Sequence, residues 1–208
     1  MKDLGGLPDF FPGSSGFGNL GRTRIGVGKS ITQLVGFRLN PDGTRGAVLE
    51  ELGNTAPDFR MGFANDFTFG AFSLNSVVDW QKGSDIINLT QYLQDDGRTS
   101  KDWGTPEGVA RYKGYTSGSI QPYIEDGSYV KLREISLGYD VPRRFASKIS
   151  TVQTLRLSVT GRNLFMWAPY SGLDPEVANF GAAAVLNNLD VGPYPPSRSV
   201  FFNVTVGF

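Results

Sequence analysis

Residues 59–81 read FRMGFANDFTFGAFSLNSVVDWQ, and this stretch decides the fold. It contains two segments in which apolar side chains recur at every second position, with interruptions at Asn65 and Ser76. The apolar residues are Phe59, Met61, Phe63, Phe67 and Phe69, and then Phe72, Leu74, Val78 and Trp80. A period of two predicts β-strands that have one apolar and one polar face. The short connection at Gly70 predicts that the two strands form a hairpin.

Other segments show the same alternation and predict further strands. Residues 128–141 (SYVKLREISLGYDV) alternate at their C-terminal end, but Val130 and Leu132 fall on the opposite face. We therefore expect a bulge or a change of phase in this strand. The remaining predicted strands are residues 155–162, which end near Asn163, residues 200–208 and, with a weaker pattern broken by glycines, residues 22–38.

The connections between the strong strands alternate in length. The turn at Gly70 and the link 142–152 are short, whereas the segments 82–127 and 165–197 are long. Short turns on one side and long loops on the other are typical of outer-membrane barrels. Residues 40–57 are also expected to be a loop, because Asn40-Pro41-Asp42-Gly43 is a strong turn signal.

Two short helices are predicted in the connections. Apolar residues from Ile86 to Leu93 fit a helix whose cap would be Ser84 or Asp85. Pro142 is expected to open a single helical turn, because proline is favoured at the first position of a helix.

The strands are about 10 to 13 residues long, which is the length that a tilted strand needs to cross the hydrocarbon layer. No apolar run approaches the roughly 20 residues of a membrane helix. We predict an all-β fold, an antiparallel transmembrane β-barrel segment of about six strands with long outer loops. Its last strand would end in the periplasm. The alternative is a soluble β-sandwich that binds glycans, since sandwich strands also alternate.

The composition excludes several classes of site. The 208-residue chain has 20 basic and 20 acidic residues, and it contains neither Cys nor His. It therefore lacks the basic excess of a nucleic-acid binder, the usual zinc ligands and a Ser-His-Asp triad. The stretch Gly26-Val27-Gly28-Lys29-Ser30 ends like a phosphate-binding loop, but Thr23 occupies the place of the required glycine, so the motif fails.

Asp174 and Glu176, in the segment GLDPEV, are the candidates for paired carboxylates or metal ligands. Glycoside hydrolysis needs two carboxylates about 5 to 10 Å apart across a sugar, and the sequence gives no sign of that arrangement. We interpret both residues as solvated acids in a turn. The prediction is a protein that is not an enzyme, with no catalytic, cofactor-binding or metal-binding residue.

Three groups of residues are the candidates for a transport function. Charged residues on the polar strand faces would face the lumen, where they contact a plug, line the route or pair with one another: Arg60, Asp66, Asp79, Arg156 and Arg162. Aromatic residues in the loops would contact substrate or a lid, unless they pack internally or anchor at the membrane interface: Trp103, Tyr112, Tyr115, Trp167, Tyr170 and Tyr194. Apolar residues of the last strand would form a C-terminal assembly signal: Phe202, Val204, Val206 and Phe208. Trp80 and Tyr139 lie on lipid-facing registers and would anchor at the membrane interface.

Four segments resemble, in their order and spacing, the C-terminal end of SusC/RagA-family TonB-linked outer-membrane proteins. They are SYVKLREISLGYDVP (128–142), TLRLSVTGRNLF (154–165), YSGLDPEV (170–177) and YPPSRSVFFNVTVGF (194–208). Upstream, residues 52–88 resemble the preceding hairpin of the same family. Each motif is weak by itself, but four in order are fairly specific.

The resemblance implies a function as well as a fold. Members of this family import large nutrients, typically oligosaccharides or peptides, through a barrel of about 22 strands that encloses a plug. A SusD-like surface lipoprotein closes the barrel from outside, and energy arrives through TonB. The resemblance implies that residues 22–208 are C-terminal barrel strands in the outer membrane of a Gram-negative bacterium. The partners would be outer-membrane lipid, the barrel-assembly machinery and, through a missing N-terminal part, TonB.

The chain also departs from the pattern of the family. Residues 1–21 are expected to be a loop or disordered lead-in, and the signal peptide and the plug of the family are not present in this sequence. Family members often carry an acidic, calcium-binding type of loop, but the corresponding text LNPDGTRG has Asp42 as its one acid. A calcium loop needs several oxygen ligands at alternate positions, so we predict no calcium there.

Overall fold

Most segments in which apolar and polar residues alternate form β-strands in the structure. The computed structural model describes residues 22–23, 28, 30, 32–146, 152–176 and 189–208. The strands are β1 Arg22–Thr23, β2 Gln33–Leu39, β3 Arg45–Asn54, β4 Phe59–Phe69, β5 Phe72–Lys82, β6 Asp85–Asn88, β7 Ile124–Asp126, β8 Tyr129–Asp140, β9 Thr154–Trp167, β10 Leu189–Asp190 and β11 Ser199–Gly207. The α-helices are α1 Leu89–Asp96, α2 Pro106–Thr116 and α3 Arg143–Ala146. The predicted lead-in 1–21 and most of the Gly26–Ser30 stretch lie outside the described residues.

The described residues fall into two compact units. The sheet unit consists of residues 59–81, 129–168 and 196–208, and the mixed unit consists of residues up to Asp58, 82–128 and 169–195.

The sheet unit is one five-stranded sheet in the order β11-β9-β8-β5-β4. β11 pairs antiparallel with β9, β9 with β8, and β8 with β5. β4 and β5 are joined at Gly70, whose φ of +59° is a left-handed conformation that favours glycine. The predicted hairpin and the predicted antiparallel all-β character are confirmed, with five strands in this sheet against about six expected.

The mixed unit contains two small sheets and two helices. One sheet has the order β1-β2-β3, and the other has the order β10-β6-β7, in which β10 and β6 are parallel. The core is a cluster of buried apolar side chains from both sheets and both helices: Leu34, Ile87, Leu89, Tyr92, Tyr115, Ile120, Tyr123 and Leu189. Each such side chain contributes about 1.5–3 kcal/mol when it is fully buried.

The prediction that residues 40–57 are a loop was wrong beyond Thr44. The turn itself is present, with Gly43 at a φ of +79° and its N–H donating to the carbonyl of Asn40 at 2.9 Å. The chain then enters β3, which pairs antiparallel with β2. Pairing with β2 therefore overrides the low strand propensity of a segment rich in glycine and glutamate.

The predicted helix begins later than expected. Residues from Asp85 to Asn88 form β6, because this segment pairs with β7 on one side and with β10 on the other. The helix α1 then starts at Leu89, and its cap is Asn88, whose side chain accepts from the Gln91 N–H at 2.8 Å. The proposed caps Ser84 and Asp85 were wrong.

The helix α2 was not predicted, although its start carries a standard signal. The Thr105 side chain accepts from the Gly108 N–H at 3.2 Å, and Pro106 occupies the first turn. The single turn predicted after Pro142 is α3. Within the described part of the chain, no helix is long and apolar enough to cross a bilayer.

Candidate functional site

The sheet unit presents two chemically different faces. Cross-strand partners share a face, so the row Phe202–Val159–Leu137–Leu74 runs across four strands on one side. The neighbouring row Asn203–Ser158–Gly138–Ser73 lies on the other side. One face is therefore apolar over the width of the sheet, and the other face is polar.

The apolar face is exposed to solvent over its whole width. Phe202 at one edge is 81% exposed, and Phe67 near the other edge is 62% exposed. Large apolar side chains between them are also exposed: Phe72, Leu74, Trp80, Leu137, Leu157, Phe165, Val200 and Val204. Soluble proteins rarely leave a contiguous apolar patch of more than a few hundred Å² uncovered. A β-sandwich would bury these residues against a second sheet, and the structure does not.

A bulge keeps the apolar face continuous along β8. Both neighbours of β8 change register around Arg133. Strict alternation would place Val130 and Leu132 on the polar face, but they pair with Trp80 and Val78 on the apolar face. The bulge expected from the sequence is confirmed, and its effect is to return two apolar side chains to the side where the others lie.

The polar face carries a ladder of paired side chains. The contacts are Arg60 Nε to Gln81 Oε1 at 2.6 Å, Asn75 Nδ2 to Asp66 Oδ1, Arg133 Nε to Asp79 Oδ2 at 2.7 Å, Arg156 Nη1 to Asp140 Oδ2 at 2.8 Å, and Arg162 Nε to Glu134 Oε2 at 2.9 Å. The five charged residues expected on the polar strand faces therefore share one face of the sheet. Exposed ion pairs of this kind contribute about 0–1 kcal/mol each in water.

Arg156 ties three strands together on the polar face. It lies on β9, and besides Asp140 on β8 its guanidinium donates from Nη2 to Ser73 Oγ on β5 at 2.6 Å. The side chain passes Gly138, where an added Cβ would lie 2.7 Å from Nη2 and 2.6 Å from the Ser73 oxygen. The absence of a side chain at position 138 is therefore a requirement of this contact.

The last strand continues both faces to the end of the chain. Phe202, Val204 and Val206 pair with Val159, Leu157 and Leu155 of β9 on the apolar side. The terminal Phe208 is 78% exposed. The four residues expected to form an assembly signal thus include three on the apolar face of an edge strand.

Two of the six loop aromatics are buried in the mixed unit. Tyr115 stacks on Tyr92 with ring centroids 4.1 Å apart. Tyr170 donates its hydroxyl to the buried carboxylate of Asp190. Burial, and then this hydrogen bond, raises the pKa of Tyr170. Both rings belong to internal packing.

Three other loop aromatics retain accessible surface. Trp103 and Tyr112 form an edge-to-face pair with centroids 5.5 Å apart, and the Tyr112 hydroxyl donates to Asp96 at 2.8 Å. Tyr194 is 92% exposed.

Trp167 does not lie in a loop. β9 extends to residue 167, so the loop predicted from residue 165 begins later. The Trp167 ring stacks on Phe165, and its pairing with Val130 places it on the apolar face of the sheet.

Arg111 forms bidentate ion pairs with two carboxylates in the mixed unit. It donates to both oxygens of Asp95 at 2.7 and 2.8 Å and to both oxygens of Asp102 at 2.7 and 2.8 Å. Asp95 is fully buried and also accepts from the Tyr123 hydroxyl at 2.8 Å. Burial raises the pKa of Asp95, but the hydrogen bonds from Arg111 and Tyr123 outweigh it and leave the pKa below its usual value. No spacing in the sequence connects these residues, and we did not predict them.

A second polar network connects separate segments of the mixed unit. Glu125 accepts from the Ser171 N–H and hydroxyl at 2.8 Å, and also from the Asn88 side chain at 2.8 Å. Asp190 accepts from the hydroxyl of Thr90. The network therefore holds the segments at 171 and 190 against β6, β7 and the start of α1.

The acids of the segment GLDPEV are not both solvated. Asp174 is 3% exposed and accepts from the Glu176 N–H at 2.9 Å, so the prediction of a solvated acid was wrong for Asp174. Among the described residues, no group of three or more acidic side chains has the geometry to hold a metal ion.

The class of protein follows from comparison with known sequences, although no family model matches the chain. The chain is similar to TonB-dependent receptors, the class that the sequence motifs predicted.

The particular relatives are from Formosa agariphila. TonB-dependent receptor P3 is 32% identical over 174 residues, which cover 76% of this chain and 17% of the relative. TonB-dependent receptor P26 is 27% identical over 176 residues, which cover 76% of this chain and 18% of the relative. The chain therefore spans less than a fifth of the length of these curated relatives.

Solved structures show the same fold. The RagAB peptide importer in its closed-closed state superposes with a TM-score of 0.56 and 16% identity, over 85% of this chain and 21% of that chain. Its open-open state superposes with a TM-score of 0.56 and 15% identity, again over 85% of this chain and 21% of that chain. The predicted resemblance to part of a SusC/RagA-family TonB-linked outer-membrane protein is confirmed.

Proposed function

We propose that the sheet unit is part of the wall of an outer-membrane β-barrel, and that the chain belongs to a TonB-dependent importer of large nutrients. The observation that carries this proposal is the exposed apolar face, on which Phe202 and Phe67 lie near opposite edges. In a barrel wall this face contacts hydrocarbon, where exposed phenylalanine is stable. The similarity to TonB-dependent receptors supports the same reading.

The polar face would then line the lumen. Arg60, Asp66, Asp79, Arg156 and Arg162 lie there, and each has at least one polar atom engaged by a neighbouring strand. Such pairing keeps a charged face soluble in a water-filled or plugged interior and leaves the strands in register. Contact with a plug, or with a passing nutrient, would use the atoms that these pairs leave exposed.

The aromatic residues separate into two proposed roles. Trp80 and Trp167 lie on the apolar face near the ends of their strands, so we assign them to the membrane interface, where amphipathic rings are favoured. Trp103, Tyr112 and Tyr194 remain the candidates for contact with substrate or a lid, because their rings keep accessible surface.

The partners and the nutrient follow from the class of protein. A SusD-like surface lipoprotein would cover the outer opening, and TonB would act through a part of the protein outside these residues. The barrel-assembly machinery would recognise β11, which is an edge strand of the described sheet. The nutrient would be an oligosaccharide or a peptide, and the solved relatives are named as peptide importers. We propose a role in transport and none in catalysis.

Quenching by lipid tests the orientation of the sheet. Variants that keep one tryptophan, either Trp80 (with W103F and W167F) or Trp103 (with W80F and W167F), are reconstituted in vesicles that contain brominated phosphatidylcholine. We expect strong quenching of Trp80, since it lies on the apolar face, and weak quenching of Trp103, which lies in the mixed unit. Equal quenching of the two, or a chain that stays soluble and monomeric without detergent, contradicts the proposal.

A further inference from the structure

We propose that a cavity beside Arg60 on the polar face of the sheet binds a carboxylate group. The place of this cavity on a transport route rests on the proposed function, but its occupancy can be measured independently. Its volume is about 160 Å³. The residues that line it are Arg60, Met61, Gly62, Asp79, Trp80 and Tyr129.

Gly62 opens the cavity. A Cβ added at this position would meet Asp79 Oδ1 at 3.6 Å, which is an ordinary van der Waals contact. The strand therefore tolerates a side chain at position 62, and the cavity exists because none is present. A side chain there would fill the space without forcing the backbone to move.

The charge of Arg60 has no counterion among the described residues. Its one hydrogen bond there runs from Nε to the neutral side-chain oxygen of Gln81, at 2.6 Å. This bond fixes one edge of the guanidinium and leaves the two terminal nitrogens for another partner. Paired N–H groups of a guanidinium match the two oxygens of a carboxylate, which is the geometry of a strong bidentate contact.

Arg162, by comparison, is already satisfied. It lies on the same face of the sheet and donates to Glu134 at 2.9 Å. Arg60 and Arg162 therefore differ in charge compensation rather than in exposure to water, which makes them a matched pair for a test.

Two further cations lie near Tyr129, which is one of the residues that line the cavity. Lys131 Nζ lies 4.7 Å from the centre of the Tyr129 ring, and Arg133 Cζ lies 6.0 Å from the same centre. The carboxylate of Asp79 is bound to Arg133 at 2.7 Å. The negative charge of Asp79, which lines the cavity, is therefore compensated by Arg133, and Arg60 remains the cation that lines the cavity.

Saturation-transfer NMR with sodium acetate measures occupancy directly. The probe is added to the full chain in detergent micelles, and the signal of the acetate methyl group is followed as a function of its concentration. We expect saturable binding in the parent chain, and a roughly tenfold or larger increase in Kd in R60Q, which is the effect of losing a charge-assisted bidentate contact. R162Q should leave the Kd unchanged.

A second variant separates binding from folding. G62V keeps Arg60 but fills the cavity, so it should also abolish the saturable binding of acetate. The circular dichroism spectrum of the sheet should be preserved. If R60Q does not fold, the acetate affinity of G62V tests by itself whether acetate occupies the cavity. Equal Kd values in the parent, R60Q and G62V would overturn the proposal.

Competition identifies the chemistry of the ligand. Formate should displace acetate, whereas acetamide should not, because acetamide has the shape of acetate but lacks the negative charge that the two nitrogens of Arg60 attract. Displacement by acetamide at the same concentration as formate would overturn the assignment to a carboxylate. Quenching of Trp80 by brominated lipid is independent of all these results, so failure of the anion site and failure of the barrel-wall proposal are distinguishable.

Discussion

Placing an arginine at position 202 provides a quantitative test of the lipid-facing assignment. Phe202 is 81% exposed, lies near the middle of β11 and pairs with Val159, in a row that continues through Leu137 and Leu74. A residue in the middle of a spanning strand lies near the bilayer midplane, where arginine costs about 2–4 kcal/mol. That range corresponds to a decrease of roughly 30-fold to 700-fold in the folding equilibrium constant.

Asn203→Arg is the matched control, because the neighbouring side chain points to the polar face. The assay is urea-dependent folding into lipid vesicles, followed by tryptophan fluorescence and by the mobility of unheated samples in electrophoresis. We expect F202R to lower the free energy of unfolding by about 2–4 kcal/mol and N203R to change it by about 1 kcal/mol or less. Equal effects of the two variants would refute the assignment of the faces.

Three further predictions concern single residues. Arg111→Met should destabilise the mixed unit by about 3–5 kcal/mol, because it leaves the buried Asp95 carboxylate without its ion pair. A decrease of less than about 1 kcal/mol in the free energy of unfolding, measured by chemical denaturation, would show that this ion pair is unimportant. Asp85→Asn should raise stability at pH 7 and lose that advantage in acid. Burial raises the pKa of Asp85 and outweighs the hydrogen bond from the Asn54 N–H, and the nearby charges of Asp126 and Asp58 raise it further. A raised pKa means that ionisation destabilises the native form as pH rises through that pKa, so denaturation midpoints at pH 4 and pH 7 check the sign. Gly70→Val should cost about 1–2 kcal/mol, because a φ of +59° is unfavourable for a β-branched residue; an unchanged midpoint would mean that the turn adjusts.

The strands of the sheet unit were predictable because one physical rule governs them. Phe59 to Phe69, interrupted only at Asn65, and Val200 to Val206 have apolar residues at every second position, and a two-faced environment produces that period. The bulge at Arg133 was also visible, as a change of phase between Leu132 and Ile135. The sequence could therefore assign residues to faces before any register was known.

The mixed unit was harder to predict because long-range pairing decides its structure. β3 contains Glu50, Glu51 and glycines, and it becomes a strand through its pairing with β2. Ile86 and Ile87 suit a helix or a strand equally well, and the neighbours β7 and β10 decide between them. The start of α2 was available in Thr105-Pro106, whereas the meeting of Asp95 with Arg111 depends on tertiary packing.

The Arg156 contact with Ser73 makes a polar link between two strands depend on an empty position on the strand between them. Gly138 supplies no functional group and does not need a left-handed backbone, yet even a methyl group there would collide with the guanidinium. Alanine at position 138 would displace the ends of two flexible side chains, the Ser73 hydroxyl and the Arg156 guanidinium, and would break the hydrogen bond between them. G138A should therefore resemble S73A, with the fold preserved and a similarly small loss of stability, because both changes remove the same hydrogen bond.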